Sequence, residues 1–244
     1  MRDKGFGRGL AIAPLLLLIA TAAAPLPAGV RDTRLASLDL SQPFAAKPGW
    51  RFVATQGPEV ADPLGEADDR APGVVRLCIS RDGGRTCTPR LDTLLALPGK
   101  PDLFDQPHFL EDARIVRPRP DRPLLLIRAA SLHSGDGDQR VATIALGYDR
   151  TRDAFVPVYE KRTGRNNNQE VRYIANGPLR GAIVAAEPTS DAPFAYWITV
   201  DRLGPDSRYH QTLRYRSRTR YGDGNPKAVI DSDMAETLRR VKAR

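Results

Sequence analysis

Short apolar-rich segments recur along the chain between clusters of Gly, Pro, Asp and Asn, and period-two alternation is clear at 209–221. Short segments of this kind bounded by turn residues predict β-strands. They fall at 50–56, 74–80 and 85–88, then at 124–132, 141–148, 155–160, 170–174, 181–187, 194–200 and 209–219. The stretch 91–97 fits a short helix or a strand, and 102–112 is ambiguous. Successive starts in the second half lie about 12 to 17 residues apart, which leaves no room for crossover helices, so neighbouring strands are expected to pair antiparallel. One helix is expected at 233–242, where Met234, Leu238 and Val241 recur at i, i+4 and i+7. Asp231, Ser232 and Asp233 offer acceptors at its start, and Arg239, Arg240 and Lys242 lie at its negative end. The expected fold is all-β: an antiparallel meander, propeller-like or of the barrel or sandwich type, with a short C-terminal α-helix.

The first residues break the pattern. Arg2, Lys4 and Arg8 precede an apolar run at 10–20, followed by small residues up to Ala28 and Gly29. A charged start, a short apolar run and a small-residue exit make a secretory signal peptide pattern. The run is shorter than the ~20 residues needed to cross a bilayer, and no second such run follows. An uncleaved N-terminal anchor is the alternative. Pro25 disfavours cleavage after Ala24, so the cut is expected after Ala28. The chain then divides into a signal peptide at 1–28, a mixed, Pro-containing linker at 29–49 and a single β-rich domain at 50–244, with no transmembrane span in the mature part and a periplasmic or secreted location.

At 41% hydrophobic and 27% charged over 244 residues, the chain can bury a core and is too apolar for global disorder. It has no collagen triplet, heptad or repeated apolar 20-mer, which excludes collagen, coiled-coil and multispanning membrane classes. The formal net charge of +8 falls to +6 without residues 1–28. That excess is confined to the C-terminal end, because 202–244 carry eleven Lys or Arg against five Asp or Glu, while 29–201 balance 23 against 23. Arginine supplies 31 of the 37 basic residues, which fits either recognition of phosphate or carboxylate by the planar guanidinium or a bias in codon composition.

Cys78 and Cys87 flank Asp82-Gly83, a pair that predicts a type I′ hairpin turn. With Arg81 and Gly84 as the closing pair, Cys78 and Cys87 become directly opposed in a non-hydrogen-bonded pair, ~4.5 Å apart at Cα, which a disulfide can bridge. Export permits the bond. Free thiols at a redox or metal site are the alternative, without well-placed histidines or a Cys-x-x-Cys spacing to favour it. Ser80, Asp82, Gly84 and Thr86 also resemble an Asp-box, the Ser-x-Asp-x-Gly-x-Thr-aromatic hairpin that recurs in sialidase-like β-propellers, with Cys87 where that family has an aromatic residue. The resemblance covers eight residues and occurs once. It implies β-rich architecture and a turn held by its own Asp and Ser or Thr side chains. It does not imply sialidase activity, because that family's arginine triad, tyrosine and acids have no match by motif.

The most informative strand is 209–221. Period two puts Tyr209, Leu213, Tyr215 and Tyr221 on one face with Gln211, Ser217 and Thr219. The other face carries His210, Thr212, Arg214, Arg216, Arg218 and Arg220. Four aligned arginines ~7 Å apart repel one another unless water, acids or an anionic ligand intervene. One reading is a site for phosphate or carboxylate groups of an anionic envelope glycan or lipid surface. The other is a solvated strand face paired with acids such as Glu187 or Asp201. Nucleic acid ranks below envelope polymers, because export removes the usual partner and the tyrosines point away from the arginines.

Other clusters read first as turns or surface pairs. The stretches 133–138 and 221–226 offer oxygen atoms but lack the spaced carboxylates of a calcium loop. His108 lies near Asp105, Glu111 and Asp112, a local acid/base grouping or an ordinary ion pair. Asn166, Asn167, Asn168 and Gln169 form an amide-rich loop suited to sugar contacts or to a turn. No cofactor fingerprint, metal-ligand set or nucleophile motif is found, so no cofactor and no metal are expected and the catalytic residues, if any, are unspecified. The reading is an exported, envelope-associated binding protein for an anionic glycan or lipid head group. The alternatives are a glycan hydrolase on a β-propeller-like scaffold and a structural or interaction module with no small ligand. N-terminal sequencing of the exported protein should begin at Gly29, and a read from Met1 in the membrane fraction would instead establish a retained anchor.

Overall fold

The computed structural model describes residues 32–99, 101–164, 168–190, 194–220, 222 and 227–243, so the signal segment expected at 1–28 lies outside the described residues. In chain order the elements are β1 (Thr33–Asp39), α1 (Ser41–Phe44), β2 (Arg51–Gln56), β3 (Val60–Ala61), β4 (Arg70–Ala71), β5 (Val75–Ser80), β6 (Phe109–Arg119), β7 (Arg122–Ala130), β8 (Arg140–Asp149) and β9 (Ala154–Gly164). There follow β10 (Glu170–Tyr173), β11 (Ile183–Pro188), β12 (Ala195–Leu203), β13 (Tyr209–Arg220) and α2 (Val229–Lys242). All the pairings are antiparallel, in the sheets β1-β2-β5, β6-β7-β8-β9 and β10-β11-β12-β13, with β3-β4 as a separate ribbon. The meander expected from the short strand spacing is thus present, and among the described residues no sheet closes into a barrel.

The middle sheet explains how the layers stack. Leu124 to Ile127 on β7 and Val141 to Gly147 on β8 are buried without a break, so both faces of these strands leave water. On one face Leu125, Ile127, Ala142 and Ile144 pack with Phe52, Ala54, Leu77 and Ile79 of the first sheet. On the other, Leu124, Leu126 and Ala145 meet Val158, Tyr159, Tyr173 and Tyr209. Val171, Ile183 and Ala185 of the third sheet join the same seam. The far face of the third sheet, with Val184, Ala186, Ile198, Val200, Leu213 and Tyr215, is covered by α2.

Several expectations are corrected. The stretch read as a linker carries β1, which pairs with β2 along its length. No strand forms at 85–88. Side-chain acceptors take the N–H groups that a two-residue hairpin would pair, since Ser80 Oγ accepts from Gly84 N at 2.8 Å and Asp82 Oδ1 from Thr86 N at 3.1 Å. Positive φ falls at Gly83 and Gly84 rather than at Asp82 and Gly83. The side chains therefore hold the turn as the Asp-box resemblance implies, and Cys78, on β5, is disulfide-bonded across it to Cys87, which lies in no strand, with Cα atoms 5.0 Å apart. The 91–97 stretch is neither helix nor strand but a turn that buries Leu91, Leu94 and Leu95. The helix begins at Val229, four residues early, because its cap comes from elsewhere in the fold: Glu170 Oε1 accepts from Ile230 N at 2.7 Å. Much of the 221–226 loop, with Tyr221, lies outside the described residues, as do Asn166 and Asn167.

A polar clamp ties the first two sheets. Asp153, in the β8–β9 turn, accepts from Trp50 Nε1 at 3.0 Å and Tyr148 Oη at 2.5 Å, and pairs with Lys47 at 2.9 Å and Arg81 at 2.7 Å. The Lys47 ammonium and these hydrogen bonds hold its carboxyl far below the usual range. A folded pKa below the unfolded value of 3.8 means that the ionised contacts stabilise the fold above that pH and that this stability is lost as pH falls below it. Asp153→Asn should lower the melting midpoint at neutral pH, and its deficit against wild type should shrink below about pH 4; a deficit unchanged by pH would exclude an ionised clamp. Replacing Cys78 and Cys87 together by Ser should cost about 2 to 3 kcal/mol in denaturant unfolding, from the lost loop constraint. Two freely alkylatable thiols in the native exported protein would contradict the bond.

Candidate anion-binding face

The local pattern of β13 is the predicted one in its second half. Leu213, Tyr215 and Ser217 are buried toward α2, while Arg214, Arg216, Arg218 and Arg220 are exposed on the opposite face. The structure brings all four to one side of an edge strand, the side that looks toward the middle sheet.

The first half departs from the prediction. A bulge at the crossing between Val200 and Asp201 pairs Val200 with Leu213 but Asp201 with Gln211. One extra residue reverses the facing, so Gln211 and Tyr209 turn onto the arginine side. The Tyr209 ring meets the Tyr159 ring at 5.5 Å, and its hydroxyl donates to Gly181 O at 2.9 Å. Tyr215 stays on the helix side, where its hydroxyl lies 2.8 Å from Thr237 Oγ1 and burial pushes its pKa up to about 12.

The neighbouring strand adds groups that the sequence pattern did not single out. Trp197 pairs with Arg216 across the ladder, and the Arg214 guanidinium sits over the Trp197 ring at 4.2 Å. The acids expected to neutralise the row do not: Glu187 pairs with Lys161 of β9 at 2.9 Å, and Asp201 opposes Gln211. Among the described residues Arg214, Arg216 and Arg218 have no carboxylate partner. Burial raises the Asp201 carboxyl above its usual value, with Lys161 opposing the shift and Glu187 adding to it. The Tyr159 hydroxyl and the Thr199 Oγ1 are buried beside this seam without a hydrogen-bond partner among the described residues. Burial also raises the pKa of Tyr159.

The weaker groupings disperse. His108 is buried in an extended segment, with Nδ1 2.6 Å from Pro72 O. Its expected acids go elsewhere, Asp105 to Arg140 at 2.9 Å, Glu111 to Arg128 at 2.7 Å and Asp112 to Arg114 at 3.0 Å. Ser134 Oγ and Asp136 close the 133–138 turn by hydrogen bonds, and among the described residues no three acids, histidines or cysteines are placed to hold a metal. A shallow cavity of about 320 Å³ does bring Ser134 and Asp138 beside Gln169, against the apolar wall of Leu97 and Phe104.

Compared with known proteins, the chain matches no family model, no curated protein and no solved structure. Among the described residues no helix is long and apolar enough to cross a membrane.

Proposed function

We propose that the chain is an exported, envelope-associated binding protein of the periplasm or cell exterior, which takes anionic groups on the arginine face of β13. The observation that carries this reading is the row of Arg214, Arg216 and Arg218, exposed along one strand face without carboxylate partners among the described residues. Cations held in line by a strand cannot separate to relieve their repulsion, whereas a ligand bearing phosphate or carboxylate relieves it at each contact. Trp197 supports the reading, because a flat aromatic surface among the cations suits the apolar face of a sugar ring as well as a guanidinium. The disulfide fits an oxidising compartment.

A second reading rests on Asp201. Its carboxyl, raised by burial, lies on the side of the sheet that carries Trp197 and the arginines, as a proton donor to a glycosidic oxygen requires. In that reading the protein cleaves the glycan that it binds.

Replacing Arg216 and Arg218 by Gln should weaken binding of polygalacturonate or of phosphatidylglycerol vesicles by about thirtyfold at low salt, from ~1 kcal/mol for each cation. The melting midpoint should not change, and the loss should shrink as salt screens the original attraction. Preference between the two probes separates a glycan from a lipid surface. Equal binding by the folded double variant would make the row a solvated strand face. Release of reducing ends from polygalacturonate by wild type and not by Asp201→Asn would select the hydrolase reading.

A further inference from the structure

A second cavity lies at one end of the same seam, and arginines line it. It is a groove of about 890 Å³ between the turn end of the middle sheet and the β12–β13 loop. Leu124, Val158 and Leu203 contribute its apolar lining, and Leu124 and Val158 share a hydrophobic cluster with Tyr209. Five arginines line it: Arg117 of β6, Arg122 of β7, Arg150 and Arg152 of the β8–β9 turn, and Arg208.

The groove also holds three aspartates, and each is engaged. Asp121 pairs with Arg122 at 3.5 Å. Asp149 accepts from the turn N–H groups of Thr151 and Arg152 and pairs with the Arg152 guanidinium at 3.5 Å. Asp206 holds His210 at 2.8 Å and accepts from Arg208 N at 3.1 Å. The acids therefore stiffen the turns, and Arg117, Arg150 and Arg208 have no carboxylate partner among the described residues.

Arg208 immediately precedes β13 and lines the groove, and along the strand that follows, Tyr209 and Gln211 stand between it and Arg214 on the side that carries Arg214, Arg216 and Arg218. At a rise of ~3.3 Å per residue, Arg208 to Arg218 spans about 30 Å. We propose that groove and strand face form one track for a linear acidic polysaccharide, with one stretch of the polymer seated in the groove and the next laid along β13. This rests on the anion-binding reading above and extends it to the length and shape of the ligand. A flat bilayer cannot follow a concave groove between two turns into a strand face, which favours a flexible polymer over a lipid surface. The aromatic groups on the track are few, Trp197 foremost, so sequential base stacking of a single-stranded nucleic acid lacks its platform.

The test compares oligogalacturonates too short to bridge the two parts with ones long enough to cover both, titrated against wild type, Arg150→Gln/Arg208→Gln and Arg216→Gln/Arg218→Gln. All the substituted side chains are exposed, and unchanged melting midpoints verify folding. Wild type should bind the long ligand tighter than the short one by on the order of a hundredfold, because the second contact is intramolecular. The groove variant should lose that advantage and bind both lengths alike, while keeping its affinity for short ligand at the strand face. Full retention of long-ligand affinity in the groove variant, with loss in the strand variant, would overturn the track and leave the anion-binding reading standing. Loss in neither variant would overturn both. Tighter binding of oligothymidylate of matched charge, or of phosphatidylglycerol vesicles, than of long oligogalacturonate would overturn the polysaccharide as the occupant.

Discussion

Both faces of β7 and β8 must leave water, and the remaining layers follow from that requirement. A sheet apolar on one side needs one partner, but Leu124 to Ile127 expose alternate side chains in both directions and need two. The first sheet covers one face and the third covers the other. Stacking then stops for different reasons at its two ends. The outward positions of the first sheet include Arg51, Thr55 and Arg76, which remain in water, whereas the third sheet is apolar again on its outer side and recruits α2. The seam between the second and third sheets is tight at Gly181, where a Cβ would lie 2.6 Å from Pro118 O. Its φ of +79° adds a second reason for glycine there.

Local pattern made most of the strands legible, because apolar segments bounded by turn residues can be read with no knowledge of partners. It failed where a partner sets the structure. β1 reads as a linker since Thr33, Arg34, Ser37 and Asp39 are polar and exposed; as an edge strand it is fixed chiefly by its pairing with β2. The segment 109–119 is rich in charges, several of them paired, as Glu111 is with Arg128 and Asp112 with Arg114, so its strand character is masked by ion pairs. The helix start escapes because its capping carboxylate, Glu170, is sixty residues away. The period-two count along 209–220 holds after the bulge at Val200 and Asp201 and inverts before it, and no residue type in that stretch announces the extra position.

The same distinction governs the site. Four arginines on alternate positions are visible in the sequence, because one strand carries them all. The groove is not visible, because its cations come from four separate segments, each an ordinary turn or strand end when taken alone. Its aspartates would lead a charge count to treat the surroundings as neutral. Only the hydrogen bonds reveal that these acids serve the turns and His210.

An edge strand of twelve residues needs protection against pairing with another chain, and charged side chains give it. That role explains some of the arginines on β13 but not their placement. Charges that only deter edge pairing can lie on either face, yet here α2 covers one face of the strand and the arginines stand exposed on the other. The arginines crowd the seam side, where Lys161 already neutralises Glu187 and Trp197 accepts the face of Arg214. The arginines of the row are exposed, and they face one another through water along the strand. The linear spacing, the lack of carboxylate partners for Arg214, Arg216 and Arg218 among the described residues and the adjoining arginine-lined groove are what support the proposed anion binding.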